Sequence, residues 1–151
     1  MIFEQLVTSF FAAAAFAVIF NAPKKALIQC GIVGMLGWLV YTICTMQNVD
    51  AAIATMAASV LVAVLSQFCA KLYKTPIIIF TVSGIIPLVP GGLAYDAMRQ
   101  FVENDYNMAV QLAAKAFLIS GAIALGLVFS EIINQVIRKM KWTVVQQKTK
   151  Q

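Results

Sequence analysis

Five apolar runs follow one another along this chain, separated only by short polar breaks. The hydrocarbon core of a bilayer is about 30 Å thick, so a helix needs about 20 apolar residues to cross it. The runs cover about 6–20 (extending back to Ile2), 26–45, 51–70, 76–89 and 108–136. The first four end at 21–25 (NAPKK), 47–50 (QNVD), 71–74 (KLYK) and 87–92 (PLVPGG), and the fifth runs into a basic tail. Composition agrees: 62% of 151 residues are apolar and 11% charged, where soluble domains carry about 25% charged residues. A chain this short cannot hide so much apolar surface from water. The surplus faces lipid, which excludes a soluble enzyme.

The chain has no histidine, so imidazole bases and His-bearing metal sites are absent. Cys30, Cys44 and Cys69 lie in or beside apolar runs without a CxxC spacing and read as free thiols. No metal site and no cofactor are expected. An intramembrane enzyme would need a nucleophile–base or carboxylate pair at depth, but the acidic residues fall at span ends. The net charge of +5 does not point to nucleic acid, because no polar basic face with interleaved aromatics accompanies it. Glu4, with no Lys or Arg ahead of the first run, reverses the charge order of a cleaved signal peptide.

Charge sets an expected orientation. Lys24 and Lys25 lie in the first loop, Lys71 and Lys74 in the third, and Arg138, Lys139, Lys141, Lys148 and Lys150 in the tail. The alternate loops hold Asp50, and then Asp96, Arg99, Glu103 and Asp105. The positive-inside rule places the tail in the cytoplasm and the N-terminus outside. The short fourth run must then span, because a re-entrant loop would put the tail opposite the other basic loops. The expected fold is therefore an all-α polytopic membrane protein of five spans. Residues 1–141 form one membrane domain and 142–151 a basic, mobile cytoplasmic tail suited to anionic headgroups.

Helices in lipid associate through close packing of small residues. Candidate strips are Gly31, Gly34 and Gly37; Ala51, Ala54 and Ala58; and Ser120, Gly121, Ala122 and Gly126. Thr55, Ser59 and Ser66 form a polar stripe that either packs or borders a hydrated path, since such hydroxyls can return to the backbone.

The PLVPGG run is the most informative stretch. Pro87 and Pro90 each remove a backbone donor and obstruct helix, while Gly91 and Gly92 permit backbone angles closed to other residues. Irregular backbone at membrane depth persists only where protein or water satisfies it, and transporters aim half-helix N-termini at anionic substrate groups. A new helix is expected to start near Gly91. It carries Asp96, Arg99, Gln100 and Glu103 on one face and Ala94, Ala97, Met98, Phe101 and Val102 on the other. The alternative is a span end followed by an interfacial amphipathic helix. Lys115, about two turns into the last run with Gln111 before it, either lines a cavity or snorkels to the interface. Glu131, with Asn134 and Gln135 on its face, reads as an inner-interface anchor.

The segments 21–25 (NAPKK), 76–80 (PIIIF) and 84–92 (GIIPLVPGG), with Tyr95, resemble the small (YjjB-like) subunit of split transporters of the threonine/serine exporter family. The resemblance covers nearly the whole chain, and its PLVPGG block is the specific part. It implies a bacterial inner-membrane transporter of ten spans, built from two five-span halves, with a larger five-span subunit as partner. Threonine and serine export is the activity the family implies, and succinate export is assigned to split members. A partner that starts inside and crosses five times ends outside, so the halves would have opposed topologies. The resemblance carries over no site assignment.

The leading expectation is a subunit that exports a small carboxylate metabolite by alternating access. Substrate-binding or gating candidates are Pro87, Pro90, Gly91, Gly92, Tyr95, Asp96, Arg99 and Lys115, with Thr55, Ser59 and Ser66 along a path. Backbone N–H groups would meet the carboxylate, Arg99 or Lys115 would add positive charge, and Asp96 would take an ammonium or a proton. The residues leave a zwitterion and a dicarboxylate both open. Competing readings are a non-transporting scaffold for the partner and a pore-forming subunit in a higher oligomer.

Overall fold

The ends of the helices explain how so apolar a chain turns without many glycines. The computed structural model describes the backbone of residues 2–148 and the side chains of 2–137 and 139. Six α-helices follow in order: α1 (Ile2–Ile19), α2 (Leu27–Met46), α3 (Ala51–Tyr73), α4 (Ile77–Ile85), α5 (Gly91–Val102) and α6 (Tyr106–Lys148). Short 3-10 turns, Lys24–Ala26 and Ile86–Leu88, precede α2 and follow α4. The side chains of the basic tail, 142–151, lie outside the described residues.

Four of these helices close in the same way. Asn21, Asn48, Lys74 and Asn104 take the left-handed conformation, with φ between 51° and 65°. The residue after each donates its N–H back across the last turn: Ala22 to Ala17 (2.9 Å), Val49 to Cys44 (3.1 Å), Thr75 to Ala70 (3.2 Å) and Asp105 to Gln100 (2.9 Å). Carbonyls that the helix end would orphan are thereby satisfied. Asparagine tolerates this conformation because its short polar side chain bonds locally. The expectation that Gly91 and Gly92 supply unusual backbone angles is corrected here: among the described residues no glycine has positive φ. Both are ordinary first-turn residues of α5.

At the start of α3 the Asp50 carboxylate accepts the Ala52 N–H at 2.8 Å, and at the start of α6 Asp105 accepts the Met108 N–H at 3.1 Å. Asp50→Ala leaves the α3 amide uncapped and is expected to cost about 1 kcal/mol, with Asp50→Asn keeping most of it. Thermal denaturation in detergent checks both.

Packing is inverted relative to a water-soluble bundle. The buried positions are mainly small: Ala13, Ala17, Ala54, Ala58, Ser59, Ala63, Ser66 and Ser83. Phe3, Phe11, Val18, Ile28, Phe68, Phe117, Leu125 and Phe129 are exposed. That is the distribution expected where the surrounding medium is hydrocarbon and close backbone approach supplies the attraction. The α2 glycines show it directly. A Cβ on Gly31 would fall 2.5 Å from the Phe10 ring, on Gly34 2.5 Å from the Ala13 Cβ, and on Gly37 2.5 Å from Val62. Thus α2 takes α1 on one side and α3 on the other, with α4 against it as well. Helix α6 lies against α3 and α5, with a close approach where Gly126 meets Ser59 and the Met56 carbonyl. Gly121, counted in the α6 small-residue strip, has nothing within 4 Å of a would-be Cβ and takes no part in that contact.

Among the described residues, α1, α2 with its lead-in turn, α3 and α6 are each long and apolar enough to cross a membrane. The segments Ile77–Leu88 and Gly91–Val102 pass the same test only together, bent by 50° at the break between them. The helices therefore supply four spans, or five with the bent pair as one.

Candidate functional site

Pro87 and Pro90 end α4 well within the bundle. Leu88 is buried in one cluster with Val33, Ala58, Val62, Ile119 and Ile123, and Val62 lies mid-way along α3. Pro87 sits over the α2 glycine strip, its Cγ 3.5 Å from where a Gly34 Cβ would be. The break is thus held by protein at the depth of the spans.

Its backbone can be accounted for group by group. Val89 donates to the Ile86 carbonyl at 3.3 Å and Gly91 to that of Val89 at 2.8 Å. Pro90, with φ −78° and ψ 52°, is the centre of an inverse γ-turn. Ala94 then donates to the Pro90 carbonyl at 3.1 Å, starting α5. Pro90 occupies the N-cap and offers no side-chain oxygen. The amides of Gly92 and Leu93 consequently have no partner among the described residues. A helix N-terminus of this kind carries partial positive charge.

Gly92 and Leu93 line a cavity of about 240 Å³, together with Trp38, Tyr41, Thr55, Pro87, Leu88, Val89, Pro90 and Ile119. Trp38 and Tyr41 lie on α2 with ring centroids 5.1 Å apart. The Trp38 indole Nε1 is buried and has no hydrogen-bond partner. A buried unsatisfied donor carries a desolvation penalty of about 1–3 kcal/mol. Thr55, also on the wall, is 1% exposed and donates to the Ala51 carbonyl at 2.7 Å, leaving its oxygen lone pairs to accept. The residues around the cavity thus include two aromatic side chains, a threonine and the uncapped first turn of α5. No charged side chain lines it.

Two larger grooves lie elsewhere. One, of about 490 Å³, runs between α5 and α6 under Ala94, Ala97, Met98 and Phe101. The other, of about 650 Å³, is bounded by Ile53, Met56, Leu118 and Leu125. Both are almost wholly apolar and open outward, as a surface that meets acyl chains would be.

The structure therefore brings Pro87, Pro90, Gly92 and Thr55 to one cavity, with Gly91 at its edge in sequence. Tyr95, Asp96 and Arg99 stand apart from its lining, on the exposed side of α5. Arg99 Nε pairs with Glu103 Oε1 at 3.1 Å along that helix. The opposite face of α5 turns Ala97 into the α6 contact, as its amphipathic pattern expects. Lys115 is exposed and lies one turn before Ile119, which lines the cavity. In the polar stripe, Ser59 is buried under Gly126 and returns its hydroxyl to the Met56 carbonyl at 2.8 Å. Ser66 is fully buried without a partner.

Sequence reasoning missed Trp38, Tyr41, Leu93 and Ile119. A signal existed for the first two, since polar-tipped aromatics at i and i+3 inside a span have one end that must find a partner.

A small-residue interior, a lipid-compatible exterior and several long apolar helices define a polytopic membrane protein. The chain belongs to the threonine/serine exporter family: the family profile described as "Threonine/Serine exporter, ThrE" matches residues 5–133. An uncharacterized protein of Haemophilus influenzae (strain ATCC 51907 / DSM 11121 / KW20 / Rd) is 32% identical over 123 residues, covering 76% of this chain and 41% of that protein. The chain thus spans well under half the length of that relative. No solved structure matches.

Proposed function

We propose that this chain is one half of a secondary transporter that exports a small carboxylate metabolite, of the threonine/serine type or a dicarboxylate such as succinate. It acts with a larger five-span subunit in the bacterial inner membrane. On this reading α4 and α5 form one bent span, the N-terminus lies outside, and the basic loops and tail lie in the cytoplasm. The observation that carries the proposal is the uncapped start of α5, whose residues Gly92 and Leu93 line the cavity at the break. A substrate carboxylate there accepts the N–H groups that the chain itself leaves unused. Lys115, and Arg99 once released from Glu103, would supply positive charge on the way to the cavity and Asp96 would receive an ammonium, although none of the three is in its lining. The extra length of the Haemophilus influenzae relative leaves room for the second half on one chain.

Reconstitution tests this. Proteoliposomes holding this chain with its larger partner are loaded with labelled serine, threonine or succinate, and efflux is followed with and without each subunit. Saturable efflux of at least one substrate, requiring both chains, is the expected result. Efflux of none with both present removes the substrate claim, and ohmic current in place of saturable exchange selects a pore.

A further inference from the structure

One end of the bundle gathers positive charge that the chain does not answer. Helices α2 and α4 begin there and α3 ends there. An apolar cluster holds the three together: Cys69 and Ala70 of α3 and Ile79 of α4 pack against Ala26, Cys30 and Phe80. A hydrogen bond ties the rim, with Gln29 Nε2 on α2 donating to the Tyr73 hydroxyl on α3 at 2.9 Å. Lys24 and Lys25 lead into α2, and Lys71 and Lys74 close α3, so all four fall at this end. All are exposed, and none has an ion pair among the described residues. Glu131, on the neighbouring stretch of α6, is held by the amides of Gln67 and Gln135 instead. The loop at the other end of α2 and α3 carries Asp50 and no lysine.

Two further features of this end favour an anion. The Tyr73 hydroxyl accepts from Gln29, which leaves its own proton to donate, and its ring lies 6.5 Å from that of buried Phe80. Helix α4 starts at Pro76 without a side-chain cap. Its first amides, on Ile77 and Ile78, have no partner among the described residues, and a helix start carries partial positive charge.

Depth identifies the source of the anion. Helix α2 has 20 residues and α3 has 23, about 30 and 35 Å at 1.5 Å per residue, enough to cross the hydrocarbon of a bilayer. Their ends therefore stand at the level of the headgroups. Phe68, Leu72, Ile77 and Ile78, close to the lysines in sequence, are exposed apolar side chains. Acyl chains cover such groups, and a free phosphate ion would leave them bare. Lysine suits this boundary, because its stem lies along apolar surface while its ammonium reaches the phosphate.

We propose that this end of the bundle binds the phosphodiester of an anionic phospholipid. Lys24, Lys25, Lys71 and Lys74 balance its charge, the Tyr73 hydroxyl donates to a phosphate oxygen, and the acyl chains lie over Phe68 and Leu72. The bound lipid ties the start of α2 to the end of α3. The site is separate from the cavity and does not depend on the transport reading.

The test is thermal unfolding of the purified chain in a neutral detergent, titrated with phosphatidylglycerol, phosphatidylcholine or inorganic phosphate. Phosphatidylglycerol is expected to raise the melting temperature saturably, and the other two to leave it unchanged. Removing two lysines, by Lys71→Gln with Lys74→Gln or by Lys24→Gln with Lys25→Gln, should weaken the apparent affinity about tenfold or more. Lys148→Gln with Lys150→Gln removes the same charge from the tail and should stay within about twofold of wild type, because the site keeps its own cations. Tyr73→Phe preserves the charge and should weaken binding about threefold or more through the lost hydrogen bond. An equal loss in the tail pair overturns the site in favour of diffuse attraction, and wild-type affinity in both site pairs overturns it as well. An equal shift with phosphatidylcholine or with inorganic phosphate overturns the lipid assignment, as does no shift with any of the three.

Discussion

Gly126→Leu is expected to prevent the isolated subunit from being recovered as a single stable species, and Gly126→Ala to lower its thermal stability in detergent. The reason is backbone proximity. Any Cβ at this position enters the space of the Ser59 Oγ, lies 2.8 Å from the Met56 carbonyl oxygen and 3.2 Å from the Ser59 Cβ. The Ser59 hydroxyl is itself fixed on the Met56 carbonyl at 2.8 Å, so it has little freedom to yield. The carbonyl belongs to the α3 ladder and cannot yield at all without unwinding it. Helix α6 would have to stand off from α3, opening the Ile119–Ile123 side of the core cluster. Overpacking of this kind costs about 1–3 kcal/mol for a methyl group and more for a larger one. Gly121→Ala is the control, because its Cβ meets nothing within 4 Å and alanine is the better helix former. Its melting temperature should match or exceed wild type. Equal tolerance of both substitutions would show that the seam is looser than its geometry.

The contrast between these two glycines shows where the sequence was legible. The small-residue strip on the last span read as a packing surface, and at Gly126 it is one. Nothing in the pattern separates Gly126 from Gly121, since both sit in an apolar helix, and only the position of α3 distinguishes them. Helix bounds were more readable. Asp50 marked the start of α3, while α3 runs past the expected end at 70 because Lys74 adopts the left-handed cap itself. The break was also legible, as two prolines cannot continue a helix, yet the part assigned to its glycines was not the part they play. They are helical, and their contribution is the absence of a side chain at the N-terminus of α5. The cavity walls from α2 and α6 were hidden because an apolar or aromatic residue facing a pocket looks, in sequence, like one facing lipid. Arg99 and Asp96 drew attention as charges near the break. Helical spacing puts both on the side of α5 that carries Gly92, but one and two turns further along, and neither reaches the cavity lining.

Gly92→Leu is expected to reduce transport by about tenfold or more, equivalent to about 1.4 kcal/mol of lost stabilisation, with thermal stability unchanged or raised. Gly92 lines the cavity, and a Cβ there meets nothing within 4 Å. The branch point of a leucine side chain therefore enters open space, beside the first turn of α5 on which the substrate carboxylate would rest. Leucine is also a better helix former than glycine, so lost activity would not reflect a weakened α5. Gly91 provides the matched comparison: it too has open space at its Cβ, but it is not among the residues that line the cavity. Gly91→Leu should keep transport within about twofold of wild type, on the rule that only interactions with the bound substrate or its transition state alter the rate. Efflux from proteoliposomes holding both subunits, paired with melting curves for each variant, separates the possibilities. Equal loss in the two variants would make the break a hinge whose flexibility matters more than its amides. Wild-type transport in both would move the pathway to the partner and leave this chain as its scaffold. A loss confined to Gly92 would place the substrate at the head of α5, where the amides of the first turn have no partner among the described residues.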